Sequence, residues 1–200
     1  MSKSTYQHFA KPPAEGVPLV FTFHGTGGDE HQFTGLVQQI LPEAGIVSPR
    51  GDVSEHGAAR FFRRMGEGVY DMDDLAARTQ KMKGFIKAYK DSHPGVPVYG
   101  VGYSNGANIL ASVMFEAPEL FDRVVLMHPL VPWTPKPNSG LKSVSVLVTA
   151  GQRDPICPLP MTRSLVDWLE TQGTLVELAL HGGGHEISQE EFAAVGTFLS

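Results

Sequence analysis

Gly102-Tyr103-Ser104-Asn105-Gly106 follows an apolar run at 96–101 and leads into Ala107-Asn108-Ile109-Leu110-Ala111, which has the character of a helix. A serine flanked two residues away on each side by glycine, where a strand turns into a helix, has the pattern of a nucleophile elbow. The glycines answer to crowding: the turn is tight and strained, and a side chain at 102 or 106 would strike the strand or the helix. Such a turn exposes the Ser104 hydroxyl above the sheet and aims the Asn105 N–H at the same space. The plain alternative is an ordinary glycine-rich loop. The strand–helix context and the partners found farther along the chain favour the elbow.

Outward from this stretch, short apolar runs alternate with helical patterns. Strands are expected at 19–23, 45–48, 96–101, 123–127, 144–150 and 175–180. Phe33, Leu36, Val37 and Ile40 share one helix face, as do Leu75, Met82, Phe85, Ile86 and Tyr89, while Leu165, Trp168 and Leu169 mark a third helix. A last helix starts near Ser188, where Ser188 and Glu191 have capping-box spacing. This alternation predicts an α/β fold with a mostly parallel sheet of about six to seven strands and helices on both faces. A weak antiparallel edge strand is expected at 6–9, and residues 1–200 read as one domain without a large lid. Segments 49–69 and 129–140 are irregular and follow the C-terminal ends of strands, the edge where such sheets bind ligands.

Composition excludes several classes. A net charge of −5 offers no general basic surface, so nucleic acid is not an expected partner. Cys157 is the single cysteine, which rules out an internal disulfide framework and suits a reducing cytoplasm. No apolar run approaches the ~18 residues needed to span a bilayer, and the opening residues are polar rather than leader-like. A cytoplasmic location is the expectation.

Serine needs a base, and the base needs an orienting acid, in the chain order Ser, Asp/Glu, His. Asp154 follows the strand at 144–150 and so reaches the catalytic edge. Asp122 precedes its strand, Asp167 lies in a helical pattern and Glu177 is within a strand. The last strand ends in His181-Gly182-Gly183-Gly184-His185, and His185, farther along this foldable loop, is preferred to His181 as the base. Two histidines four apart also raise a metal reading, but three intervening glycines argue against the helix it would need, and no metal or other cofactor is expected. After the first strand, His24-Gly25-Thr26-Gly27-Gly28-Asp29-Glu30 is related to an oxyanion loop, its Thr26 amide pairing with that of Asn105. It lacks the endings of phosphate-binding loops. His24 reads as a structural residue beneath the loop, Cys157 as a packed residue, and His128 receives no chemistry.

With these parts placed, the chain resembles the α/β-hydrolase superfamily, and within it the phospholipase/carboxylesterase branch that also holds acyl-protein thioesterases. The resemblance rests on the elbow, the 24–30 loop, Ser48-Pro49-Arg50-Gly51, Arg60-Phe61-Phe62-Arg63-Arg64, Asp154-Pro155 and Gly184-His185. It is similar to hydroquinone-induced bacterial carboxylesterases. The resemblance implies catalytic Ser104, Asp154 and His185, an oxyanion hole at Thr26 and Asn105, and a small-molecule ester as substrate, with a homodimer left open. The rivals are an acyl-thioesterase or lysophospholipase-type hydrolase and a non-catalytic binder on the same fold. For the substrate pocket, Phe61, Phe62 and Met65 are expected as an apolar wall facing Trp133. Arg63 or Arg64 is expected to face an acidic or aromatic substrate, the alternative being pairing of these arginines with Asp71, Asp73 or Asp74.

Overall fold

The structure is a computed structural model, and it describes residues 2–200. Its seven-stranded sheet is built from β1 (His8–Lys11), β2 (Leu19–Phe23), β3 (Gly45–Pro49), β8 (Val98–Tyr103), β9 (Arg123–Met127), β10 (Ser145–Gly151) and β11 (Leu175–His181). The order across the sheet is β1-β3-β2-β8-β9-β10-β11, and only β1 runs antiparallel. Five helices accompany it: α1 (Thr34–Ile40), α2 (Met72–Asp91), α3 (Asn105–Glu116), α4 (Leu159–Thr171) and α5 (Gln189–Leu199). Among the described residues no helix is long and apolar enough to cross a membrane.

The strand period of two divides the core. Leu19, Phe21 and Phe23 pack with Leu75, Phe85 and Ile86 of α2, with α3 and with Leu165 and Leu169 of α4. Val20, Val101, Val125 and Leu147 point the other way, against Phe33, Val37, Val195 and Leu199 at α1 and α5. Buried on both faces, these strands read as continuous apolar runs, as parallel strands do.

Two expectations need correction. The strand before the elbow begins at Val98 rather than at residue 96, because Pro97 has no N–H for the ladder and its carbonyl instead accepts from Leu19 N (2.8 Å). The segment after β3 is not irregular. It forms two hairpin ribbons, β4 (Val53–Glu55) with β5 (Ala58–Arg60), and β6 (Arg64–Gly66) with β7 (Val69–Tyr70). The first turns at His56-Gly57, both at positive φ (51° and 89°), as a two-residue hairpin turn requires.

Candidate active site

β8 hands directly to α3 through Ser104, whose φ of 52° and ψ of −118° place a non-glycine residue in strained backbone. The neighbours hold it there: Ser104 N donates to Met127 O (2.9 Å) and Ser104 O accepts from Asn108 N (3.0 Å). A Cβ on Gly106 would lie 2.2 Å from Phe23 O, and one on Gly102 would lie 2.7 Å from Gly106 O. These contacts are the crowding that the sequence pattern implies.

The loops after β10 and β11 bring the other two residues in. Arg153 N donates to Gly183 O (2.9 Å), and the loops approach so closely that a Cβ on Gly151 would sit 1.9 Å from Gly184 O. Tyr103 OH donates to His185 O (2.7 Å), pinning the histidine beside the elbow. His185 Nδ1 lies 2.7 Å from Asp154 Oδ2 and its Nε2 lies 2.9 Å from Ser104 Oγ. A carboxylate can only accept, so Nδ1 carries the proton and a neutral imidazole takes the serine hydroxyl on Nε2. Asp154 Oδ1 accepts from the amides of Ile156 and Cys157, both at 2.8 Å. Burial opposes ionisation of Asp154, but the Cys157 amide, His185 and His128 outweigh it and hold the carboxyl below its usual range.

Sequence reasoning missed what lies behind the acid. His128, fully buried just after β9, donates through Nδ1 to Asp154 Oδ2 (2.8 Å) and presents Nε2 to Glu191 Oε1 at 2.9 Å. Glu191 also accepts from Thr149 Oγ1 (2.5 Å) and Ser188 N (2.7 Å), and its Oε2 lies 3.1 Å from His181 Nε2. Both histidine Nε2 atoms lie close to Glu191 but off the ideal hydrogen-bond line. Burial works against a charge on His128, but Glu191 and Asp154 overcome it and raise its pKa. Glu191 is held low in the same way, its burial outweighed by His128, Thr149 and the Ser188 amide. The capping-box spacing of Ser188 and Glu191 was visible in the sequence. That the same carboxylate serves a histidine just after β9 was not.

His128, His181 and Glu191 offer donor atoms within 4.8 Å of one another, as do His128, Asp154 and His185. The His128–Glu191 and His181–Glu191 separations are 2.9 and 3.1 Å. Ligands each held at about 2.0–2.2 Å from a tetrahedral zinc would stand farther apart. His181 Nδ1 accepts from Gly183 N (3.1 Å), which turns that ring away from Ser104.

The amides of Thr26 and Asn105 have no acceptor among the described residues, and both residues line the cavity that holds Ser104 and His185. Arg60 Nη1 donates to Thr26 Oγ1 (2.7 Å), and the Asn105 side chain accepts from Phe61 N (2.7 Å), so both donors are fixed. His24 sits beneath the loop, Nδ1 on Gly25 O (2.7 Å) and Nε2 accepting from Gly51 N (2.9 Å).

The expected pocket wall is largely displaced. Phe61 and Phe62 are 1% and 0% exposed; they pack against Phe23 and Tyr70 as core, because full burial of an aromatic ring outweighs lining a wet cavity. Met65 is 77% exposed. Trp133 packs on Tyr70 and Phe115 and lines clefts that Ser104 does not share; Leu130 lines the Ser104 cavity in its place. Arg63 points outward to Asp71 (3.2 Å) and Asp74 (3.6 Å), so of the two arginines only Arg64 lines the cavity, joined by Arg60.

No protein-family model matches the chain. The protein named "Putative hydrolase MhqD" from Bacillus subtilis is 37% identical over 175 residues, 86% of this chain and 88% of that protein. The structure of a protein of unknown function from Agrobacterium tumefaciens is 55% identical and superposes with a TM-score of 0.94, covering 100% of this chain and 98% of the other. A carboxylesterase from Bacillus cereus is 31% identical with a TM-score of 0.90, covering 97% and 93%. The chain belongs to the α/β-hydrolase superfamily, among the esterase-type hydrolases of its phospholipase/carboxylesterase branch.

Proposed function

We propose that the chain hydrolyses small carboxylic esters through an acyl-enzyme on Ser104. The observation that carries the reading is the unbroken hydrogen-bond chain from Ser104 Oγ through His185 to Asp154 at 2.9 and 2.7 Å. Ser104 attacks the ester carbonyl as His185 Nε2 takes its proton, and Asp154 steadies the imidazolium that forms. The Thr26 and Asn105 amides receive the developing oxyanion. His185 then returns the proton to the leaving alcohol, and water, activated by the same nitrogen, releases the acid. Every step is supplied by side chains and amides of this chain.

The cavity supports a small substrate. Its volume of about 290 Å³ stands at the low end for ligand sites and leaves little room for a long acyl chain. The reading takes residues 1–200 as one catalytic domain, since the sheet draws its strands from His8 to His181. Steady-state hydrolysis of p-nitrophenyl esters of increasing acyl length tests it. Ser104→Ala lowers kcat by a factor of ~10⁴ or more, because triad members act as a unit. Wild-type kcat/KM falls once the acyl chain outgrows the cavity. Turnover in the alanine variant within tenfold of wild type contradicts the reading.

A further inference from the structure

We infer that the cavity beside Ser104 carries a carboxylate-binding subsite built on Arg60 and Arg64, so that the preferred ester bears a second, anionic carboxylate. The inference rests on the ester-hydrolase reading for its chemistry and on the cavity for its recognition.

Arg60 is 4% exposed, an expensive place for a guanidinium unless something there uses it. Its Nε donates to Phe62 O (3.3 Å), and its Nη1 donates to Thr26 Oγ1 (2.7 Å) and lies 3.5 Å from Glu55. Arg64 Nε donates to the same Glu55 carboxylate at 2.8 Å. One carboxylate therefore serves two guanidiniums, and the second acidic neighbour, Glu67, adds its attraction to Arg64. Burial, and then the like charge of Arg64, lower the pKa of Arg60 against the opposing pull of Glu55. Glu67 also lines the cavity, but on an exposed residue that solvent screens.

Arg60 Nη2 and both terminal nitrogens of Arg64 have no acceptor among the described residues. Both arginines line the cavity. Planar guanidinium forks match a carboxylate through paired hydrogen bonds, more strongly than neutral groups do. Leu130, Ile156 and Cys157 supply apolar wall for the carbon skeleton between that carboxylate and the scissile ester. Hydrolysis adds one water across the ester bond and releases an alcohol and an acid, one of which keeps the anchoring carboxylate.

Arg60 also tethers Thr26, so the diagnostic residue is Arg64. Two matched pairs place the anion on either side of the ester. The first sets the p-nitrophenyl monoester of adipic acid against the ester in which an isopropyl group replaces the carboxylate. The second sets p-acetoxybenzoate against its methyl ester. In at least one pair the wild-type KM is lower for the anion by about tenfold, the effect of one charge-assisted contact. Arg64→Met abolishes that preference, Glu55→Gln enlarges it by freeing the guanidiniums, and Arg63→Met, outside the cavity, leaves it as it is. Calorimetric binding of p-acetoxybenzoate and of adipate monoamide to Ser104→Ala gives a readout independent of turnover. Binding of either that Arg64→Met removes supports the subsite even if no ester is cleaved, in which case only the hydrolase reading fails. Equal KM values in both pairs, or no binding of either carboxylate to Ser104→Ala, overturn the subsite.

Discussion

His128 reaches Asp154 Oδ2 through Nδ1 at 2.8 Å, the same oxygen that His185 reaches at 2.7 Å. The acid of the proposed triad is thus shared between one imidazole that opens onto the cavity and one that is sealed in the core. Because His128 turns its other nitrogen to Glu191 (2.9 Å), two carboxylates flank it and favour its protonated form. Removing it as His128→Ala leaves two buried anions without their partner, and breaking a buried pair in this way costs about 3–5 kcal/mol. Urea unfolding of wild type and variant checks this; a loss below ~1 kcal/mol would mean that the cluster is not ionised.

The same cluster sets the pH dependence of stability. His128 is raised above its unfolded value, so its contribution is complete below the ordinary imidazole range and is lost as pH rises through the folded value. Asp154 and Glu191 are depressed, so theirs are present above the ordinary carboxylate range and are lost as pH falls through the folded values. Melting temperature should therefore form a plateau between those ranges, with a fall on each side. In His128→Gln the alkaline fall due to this residue disappears. Scans of both proteins across pH decide it, and identical alkaline limbs would remove His128 from the account.

Glycine substitutions separate crowding from mere flexibility. A Cβ at Gly106 meets backbone oxygens of Phe23 and His24 at 2.2 and 2.4 Å, atoms that cannot turn aside, so Gly106→Ala should fail to fold or lose several kcal/mol. Gly35, in α1, has nothing within 4 Å of its Cβ position, and Gly35→Ala should raise stability by about 0.5–1 kcal/mol. Denaturation midpoints of the pair test the contrast, which fails if both variants behave alike.

Cys157 lies one loop from Asp154 yet should be unreactive. It is 1% exposed, its thiol donates to His128 O (3.2 Å), and burial followed by the Asp154 charge pushes its pKa up, away from thiolate. Iodoacetamide should modify the native protein at least ~10²-fold more slowly than the urea-unfolded chain, since only the open form reacts. Comparable rates would contradict the packing of this loop.

Legibility in the sequence followed the range of the interactions involved. The elbow, the parallel strands and the order Ser104, Asp154, His185 could be read because each depends on local pattern or on the C-terminal edge of a strand. Phe61 and Phe62 were expected to wall the pocket, but apolar character alone does not say whether a ring faces a cavity or the core beneath it. Three arginines within five residues looked alike, and only the hairpins before and after Phe61-Phe62 decide that Arg60 and Arg64 turn inward while Arg63 meets Asp71. His128 carried no signal at all. Its partners come from the loop after β10 and from α5, twenty-six and sixty-three residues away, and nothing in the local pattern announces such a meeting.

The most direct test of the central claim is covalent labelling with a fluorophosphonate, mapped by peptide mass spectrometry. Serine activated by an oriented imidazole reacts with such reagents, whereas ordinary serines do not. The expected result is one equivalent of label on the peptide containing Ser104, absent in Ser104→Ala and strongly slowed in His185→Ala but not in His181→Ala. Label on another residue, or ester turnover that survives in Ser104→Ala without label, would contradict the assignment of Ser104 as the nucleophile.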